Sequence, residues 1–149
     1  MALDQSYISE NAAEYEYLRS LVNRLTDQEL ACPLDAGWTV SAVLAHLAFW
    51  DQRALVLIQK WEKEGIGPSP MDTDIVNEAT RLHCLAIPPR IAAELAISCA
   101  QNIDQAIERI SPTMAAEMER IGKTVHLNRA DHRRNHLGQI EKALDKKPR

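Results

Sequence analysis

The sequence predicts an all-α protein, a four-helix bundle with short additional helices. Two observations support this fold class. In four long stretches of the 149-residue chain, apolar residues recur every three or four positions, as they do on one face of an α-helix. Strand signals are nearly absent, because the sequence has no sustained alternation of apolar and polar residues and no Asn-Gly hairpin turn. Amphipathic helices of this kind bury their apolar faces against one another in a bundle.

The first two long helices are predicted in the N-terminal half of the chain. The first covers about residues 4–25, and the Thr-Asp-Gln-Glu that follows at residues 26–29 has the form of a capping box for a short turn. The second opens at Trp38, with Thr39 or Ser41 as its N-cap. Its core-facing stripe is Val40, Val43, Leu44, Leu47, Trp50, Ala54, Ile58 and Trp61.

A long connection and a shorter helix are predicted next. Residues 65–70 are rich in glycine and proline, so they end the second long helix and begin the connection. The shorter helix covers about residues 72–82. It is predicted to face inward with Ile75, Val76, Ala79 and Leu82.

The other two long helices are predicted in the C-terminal half. Pro88-Pro89 serves as the first turn of the third, Ser111 is the N-cap of a short helix or turn that runs to Gly122, and the fourth covers about residues 124–144. The core-facing stripe of the third is Ile91, Leu95, Ala96, Cys99, Ile103, Ala106, Ile107 and Ile110.

Length, charge and cysteine content bound the kind of protein this is. A net charge of −4 and a pI near 5.7 argue against a nucleic-acid-binding protein, which usually carries a basic stripe. No apolar run approaches the roughly 20 residues of a membrane span, and the N-terminus lacks the features of a signal peptide. The three cysteines have no CxxC spacing, so we expect free thiols in a reducing cytoplasm. We therefore expect one cytoplasmic domain over residues 1–149.

The fourth helix contains a pair of histidines, His132 and His136, four residues apart. On a helix this spacing places both imidazoles on one face, within reach of a single metal ion. The alternative is two histidines hydrogen-bonded at the rim of the core, since such pairs often arise by chance. Their stripe is predicted to face the core with Val125, Asn128, Gln139, Ile140, Ala143 and Leu144, while Arg133, Arg134 and Glu141 fall at its flanks or outside.

A third histidine, His46, lies at the edge of the apolar stripe of the second long helix. Inward side chains of neighbouring helices can converge on one ion, and three imidazoles with an open position form a catalytic type of metal site. Asp51 projects into the middle of the same apolar face. We expect it to be a buried carboxylate bonded to a backbone amide, a tyrosine or an arginine of another helix rather than a catalytic base. His83 and His126 fall outside this pattern and are predicted to be structural or solvated.

Four further residues lie near these positions. Gln139, one turn beyond His136 on the same face, is the better candidate to orient a ligand or substrate. Trp38 and Trp50 are expected in the core rather than in a pocket wall. Arg53 flanks the edge of the stripe and could meet an anionic substrate, although an exposed surface charge is the default interpretation.

Three motifs stand in order along the chain. They are Gly37-Trp38-Thr39, then Val43-Leu44-Ala45-His46-Leu47 leading to Trp50-Asp51, then His132-x3-His136 with Leu137-Gly138-Gln139-Ile140. Together they resemble the DinB-like metalloprotein superfamily, which includes the bacillithiol- and mycothiol-dependent S-transferases. The resemblance covers essentially the whole chain.

The resemblance implies an up-down-down-up bundle with a long crossover after the second long helix. It also implies that His46, His132 and His136 bind a divalent metal, often nickel or zinc. Homodimers are common in the superfamily, so a homodimer is implied as well.

Two functional hypotheses of different classes follow. In the first, the protein is a metal-dependent thiol transferase or hydrolase that acts on a small electrophilic substrate, with a divalent ion and a low-molecular-weight thiol as cofactors. In the second, it is a non-catalytic, metal-stabilised helical bundle with a stress or binding role. A hydrophobic pocket that opens onto the ion would favour the enzyme, whereas a site closed by side chains would favour the non-catalytic protein.

Overall fold

Helices make up nearly all of the regular structure in the computed structural model, which describes residues 5–121 and 126–145. The described part contains no β-strand, so the predicted all-α fold class is confirmed. The predicted up-down-down-up order of the long helices stays a prediction. The helices are α1 (Ser6–Arg24), α2 (Asp27–Leu30), α3 (Val40–Glu64), α4 (Thr73–Ala86), α5 (Pro89–Glu108), α6 (Pro112–Ile121) and α7 (Ala130–Ala143), with a 3₁₀ turn at Asp35–Gly37.

Several helices begin at a local side-chain cap. Thr26 and Glu29 form the predicted capping box at the start of α2, and Thr39 accepts a hydrogen bond from the backbone amide of Ala42 at the start of α3. Ser111 caps α6 in the same way. These predictions are confirmed because a cap needs only residues three positions apart in the chain.

The start of α7 was predicted wrongly. It begins at Ala130 rather than near residue 124, and Asn128 lies in the preceding loop; residues 122–125, including Val125, fall outside the described part. The start of α7 is capped twice. The Asn128 side chain accepts a hydrogen bond from the backbone amide of Asp131 at 3.1 Å, and the Asn11 side chain on α1 accepts hydrogen bonds from the backbone amides of Arg129 and Ala130 at 2.7 and 2.9 Å. No local pattern could signal the Asn11 contribution, because it comes from the opposite end of the chain.

The core is arranged around α3, which packs mainly against α5. One apolar cluster joins α1, α3, α5 and α7, and a second joins the C-terminal halves of α3 and α5 to α6. α3 is the one described helix with the length and apolar composition of a membrane span, but 67% of its most apolar stretch is buried inside the fold. Such burial is typical of a core helix.

The predicted inward faces of α4 and of the first half of α5 are wrong. On α4, Ile75 and Leu82 are 66% and 73% exposed, because α4 packs against α3 through the side that carries Cys84. On α5, Ile91 and Leu95 are largely exposed. Alanines take their place there, because small residues let α5 and α3 approach closely: Ala92, Ala93, Ala96 and Ala100 are all buried, followed by Ile103 and Ile107 as predicted.

The face of α7 is rotated relative to the prediction. Arg133 is 1% exposed and Glu141 is 5% exposed, although both were predicted at the flanks or outside. Gln139 and Ala143 are exposed instead. The helix packs through Ala130, Arg133, Leu137 and Ile140. The rotation is possible because buried carboxylates neutralise the Arg133 charge, so a charged residue takes a core position that hydrophobicity alone would deny it.

Candidate metal centre

Three imidazole side chains meet where α3 faces α7. The Nε2 atom of His132 lies 3.1 Å from Nε2 of His46 and 3.1 Å from Nε2 of His136. With one ligand atom taken from each residue, the three atoms lie within 4.8 Å of one another. His132 and His136 come from successive turns of α7, and His46 comes from the second turn of α3.

The geometry suits a shared ion better than a hydrogen-bonded cluster. The His132 Nε2 atom faces two other ring nitrogens but has only one proton or one lone pair, so it cannot satisfy both with good hydrogen bonds. Nitrogen ligands roughly 2.0–2.1 Å from one zinc ion lie about 2.9–3.4 Å apart, which matches the two measured separations. Imidazole donors suit zinc, nickel, copper and iron. The three residues therefore fit a divalent transition metal.

Burial keeps all three imidazoles neutral near pH 7. It lowers the pKa of His46 to about 4, with a further contribution from His136. The pKa of His132 falls to about 3, mainly through burial and then through the two other histidines and the charges of Arg129 and Arg133. Burial also lowers the pKa of His136. Neutral imidazole is the form that binds metals, so the site is ready for an ion at physiological pH.

Gln139 makes the contact that was predicted for an orienting residue. Its Oε1 atom lies 2.9 Å from Nδ1 of His136. With the amide oxygen assigned to that position as the acceptor, Nδ1 carries the ring proton and Nε2 directs its lone pair towards the other two histidines. Gln139 therefore fixes the ligand-competent tautomer of His136.

Asp51 lies beneath the histidines in a network of buried charges. It is 2% exposed and accepts hydrogen bonds from Nε of Arg129 at 2.9 Å and from Nη2 of Arg133 at 3.4 Å. The prediction of a buried carboxylate bonded to an arginine is confirmed. Arg133 also donates to both oxygens of Asp104, at 2.7 and 2.9 Å. Burial raises the pKa of Asp104, although Arg133 opposes this shift.

The ion pairs of the charge network hold the segment that carries His132 against α3. Arg129 and Arg133 flank that histidine in sequence, and both are tied to Asp51 on α3. Asn11 adds a third anchor, because its side-chain amide donates to the Leu127 carbonyl at 2.9 Å. Sequence reasoning missed the roles of the arginines and of Asn11. The one available signal was Asp51, a carboxylate in an apolar stripe that required a cationic partner.

A cavity of about 1600 Å³ opens onto the three histidines. Two tryptophans beside His46 help to line it, with ring centroids 5.5 Å (Trp38) and 6.5 Å (Trp50) from the imidazole. Both were expected in the core, but they are only partly buried. Their amphipathic rings suit a wall that faces both protein and ligand. Trp50 also donates to the Asn77 side chain at 2.9 Å, which ties α4 to the cavity.

A tight turn places Trp38 in the cavity wall. Gly37 adopts φ +79°, a conformation that favours glycine, and a β-carbon there would lie 3.0 Å from the Arg81 guanidinium. The backbone amide of Leu34 donates to the Trp38 carbonyl at 2.7 Å across this turn. The glycine of the first motif therefore suits the turn that builds one wall of the site.

The other candidates from the sequence lie away from the histidine cluster or at its margin. Arg53 donates to the backbone and side-chain oxygens of Ser69, and it does not line the cavity. His83 is exposed on α4, as predicted for a solvated residue. His126 is exposed and lines the cavity, but it is not part of the histidine cluster.

Comparison with known proteins identifies the family. Residues 12–122 match the model of the mycothiol maleylpyruvate isomerase N-terminal domain family, a match that includes His46 and ends before His132. No curated protein and no solved structure matches the chain significantly. The matched residues span well over half of the 149-residue chain. The chain therefore belongs to the mycothiol maleylpyruvate isomerase N-terminal domain family, within the DinB-like superfamily.

Proposed function

We propose that this protein is a metal-dependent transferase that joins a low-molecular-weight thiol to a small electrophilic substrate. The metal is a divalent ion, zinc or nickel, held by His46, His132 and His136. In the transfer, a sulfur–carbon bond forms, the bond from that carbon to its leaving group breaks, and the thiol proton departs with the leaving group. The proposed setting is the cytoplasm, where such thiols stay reduced.

The observation that carries this proposal is the open cavity above the three ring nitrogens. A purely structural site usually closes all four positions around its ion with protein side chains. Here three side chains supply ligand atoms, and the space beyond them belongs to a cavity of about 1600 Å³. That volume accommodates two small reactants side by side. The arrangement favours a catalytic site over the non-catalytic alternative.

Each part of the site has a role in this proposal. A divalent ion supplies Lewis acidity and lowers the pKa of a thiol that binds to it. Gln139 keeps Nε2 of His136 free of a proton. Trp38 and Trp50 provide apolar walls that position the reactants and displace water from around them. The network around Asp51 holds α7 against α3, so that the three ligand atoms stay in place.

The family supports the choice of a thiol as one reactant. It is named for mycothiol, a thiol, and for an isomerase of maleylpyruvate. The homodimer implied by the resemblance stays a prediction, which light scattering on the purified chain would test.

Elemental analysis of protein purified without a histidine tag or a nickel column is the first test. We expect about one equivalent of a divalent metal per chain. The His46→Ala variant should lose it, whereas the control His83→Ala should keep it because His83 is exposed and outside the cluster. Metal that persists in His46→Ala, or a parent protein that takes up none when incubated with zinc or nickel, contradicts the proposed site.

A reactivity screen is the second test. The metal-loaded protein would be mixed with a panel of low-molecular-weight thiols and model electrophiles, and consumption of the thiol would be followed. We expect at least one pair to react faster than without protein, and His132→Ala to remove this acceleration. A panel without any accelerated pair, on protein that contains one metal ion, favours the non-catalytic alternative.

A further inference from the structure

Arg129 is a buried cation in the wall of the cavity. It is 8% exposed, yet it lines the cavity next to the histidines. The other charged residues of the described lining are all exposed: Asp35, Glu119, Asp131 and Lys142. Among the described residues that line the cavity, Arg129 is therefore the one buried side chain with a permanent charge.

The Arg129 guanidinium is held on two sides and open on the third. Its Nε atom donates to Asp51 at 2.9 Å, and its Nη1 atom donates to the His126 carbonyl at 3.2 Å. Within residues 5–121 and 126–145, Nη2 has no hydrogen-bond partner, and it is not among the atoms sealed from solvent. A guanidinium Nη2 has two N–H donors, so both are available to a molecule in the cavity.

With a divalent ion at the histidines, the charges around Arg129 would favour an anion. Asp51 shares its two oxygens between Arg129 and Arg133, and Arg133 is paired with Asp104, so the network contains equal numbers of guanidinium and carboxylate groups. A divalent ion held by three neutral imidazoles would leave the neighbourhood positive. Arg129 lies close enough to His132 for its charge to act on that ring. An anionic group between Arg129 and the ion would be attracted by both positive charges.

We propose that Arg129 selects a ligand that carries a carboxylate, which accepts hydrogen bonds from Nη2 while the reactive end of the ligand lies at the three histidines. This inference rests on the proposed function, because it places the ligand at the same site. Asp51 and the His126 carbonyl fix the plane of the guanidinium. The donors are therefore oriented before binding, and little side-chain entropy is lost when the ligand arrives.

Matched neutral and charged probes test this assignment on the zinc-reconstituted full chain. One pair is a thiol, 3-mercaptopropionate against 3-mercaptopropionamide, and the other is an electrophile with a leaving group, 3-chloropropionate against 3-chloropropionamide. Dissociation constants would be measured by calorimetry and checked by tryptophan fluorescence, since two of the three tryptophans line the cavity. We expect the carboxylate member of at least one pair to bind about 10- to 100-fold more tightly. The pair that shows the preference identifies the reactant that carries the carboxylate.

Variants of Arg129 locate the preference. Arg129→Gln should bring the ratio of the two dissociation constants in that pair to about one, a ratio that cancels any general weakening of binding caused by the loss of the Asp51 contact. Arg129→Lys should retain part of the preference because the charge remains without the planar donors. The control is Arg134→Gln on α7, since Arg134 is half-exposed and pairs with Glu14 and Asp131. This control should keep the full preference. If Arg129→Gln fails to fold, Arg129→Lys takes its place in the test. A full preference for the carboxylate probe in Arg129→Lys then overturns the assignment.

The outcomes separate the two proposals. Neutral and charged probes that bind equally well overturn the role of Arg129 but leave the proposed function standing. A preference for carboxylates that persists in Arg129→Gln also overturns the role of Arg129 without contradicting the proposed function. If no probe binds to protein that contains one zinc ion per chain, the proposed function fails and the Arg129 assignment fails with it.

Discussion

Two polar clusters lie side by side between α3 and α7, and they differ in how their atoms are satisfied. In the charge network, Asp51, Asp104, Arg129 and Arg133 make hydrogen bonds to one another at 2.7–3.4 Å. In the histidine cluster, the rings face one another with nitrogens 3.1 Å apart, and Nδ1 of His46 is buried without a hydrogen-bond partner in the described residues. The charged groups of the first cluster are paired within the protein, although Nε of Arg133 is buried without a hydrogen-bond partner in the described residues. The ring nitrogens of the second cluster cannot all be satisfied by one another.

This difference separates the buried polar groups that stabilise the fold from those that are available to bind a ligand. Buried charges cost free energy unless they are paired, and the ion pairs of the charge network meet that condition without any other molecule. An incomplete cluster of neutral donors costs less, but it gains most when an ion binds. We therefore expect substitutions in the two clusters to have opposite signatures. Changes in the charge network should mainly affect stability, and changes in the histidine cluster should mainly affect metal binding.

The largest effect is expected for Arg133→Ala. Arg133 is 1% exposed, and its removal leaves the buried carboxylates of Asp104 and Asp51 without their shared partner. The free energy of unfolding should fall by about 3–5 kcal/mol, as measured by urea denaturation. The control is Arg19, whose side chain is 56% exposed and pairs with the exposed Glu16. Arg19→Ala should cost about 1 kcal/mol or less. Equal losses in the two variants would remove the distinction between the clusters.

The second effect is the loss of metal in His132→Ala. His132 is the central ring, since its Nε2 atom contacts both other histidines. The variant should contain almost no metal by elemental analysis, while the metal-free form should unfold at nearly the same urea concentration as the metal-free parent. His126→Ala is the control, because His126 lines the same cavity outside the cluster. A metal-free His132→Ala chain that is strongly destabilised would show that the histidines also maintain the fold.

The comparison also explains what the sequence could and could not predict. Helix starts were predictable where the cap lies three residues away, as for Thr26 and Thr39. The histidine cluster was predictable because a helical repeat brings His132 and His136 to one face and the family motif adds His46. That these three bind an ion stays a prediction.

The errors arise where tertiary contacts override local patterns. The apolar residues Ile91 and Leu95 predicted the wrong face of α5, because close packing against α3 selected the alanines between them. Arg133 took a core position on α7 because carboxylates from α3 and α5 neutralise it. Neither partner lies near Arg133 in sequence. The hydrophobicity pattern of one helix could not predict ion pairs that join three helices.

The third effect is a dependence of stability on pH in the metal-free chain. The folded-state pKa of His46 is about 4 and that of His132 is about 3, both below the usual value of 6.5. Stability from such groups is present above the unfolded pKa and is lost as the pH falls towards the folded pKa, because the unfolded chain takes up protons first. Urea midpoints measured with a chelator present should therefore fall between about pH 7.5 and pH 5.5.

Variants show whether this slope belongs to the cluster. His132→Ala should have a shallower dependence on pH than the parent, because the ring with the most depressed pKa is gone. His83→Ala should keep the slope of the parent, because His83 is exposed. A parent chain with constant stability over this range would show that the rings are not buried as neutral groups.

The smallest effect is expected for Gln139→Leu, which tests what orients the ring of His136 in the histidine cluster. In the described residues, the one hydrogen bond between Gln139 and the cluster is to Nδ1 of His136, at 2.9 Å. Without the amide oxygen, the tautomer with the proton on Nε2 becomes accessible and competes with metal binding. Competition with a chelating dye should show affinity for zinc weakened about 10-fold, at the lower end of the range for such partners, with one site per chain retained. Gln139→Glu keeps an acceptor and should bind zinc at least as tightly as the parent. Asn135→Leu, on an exposed position of the same helix, should leave the affinity unchanged. If Gln139→Leu and Asn135→Leu bind zinc equally well, the ring of His136 is oriented by packing alone.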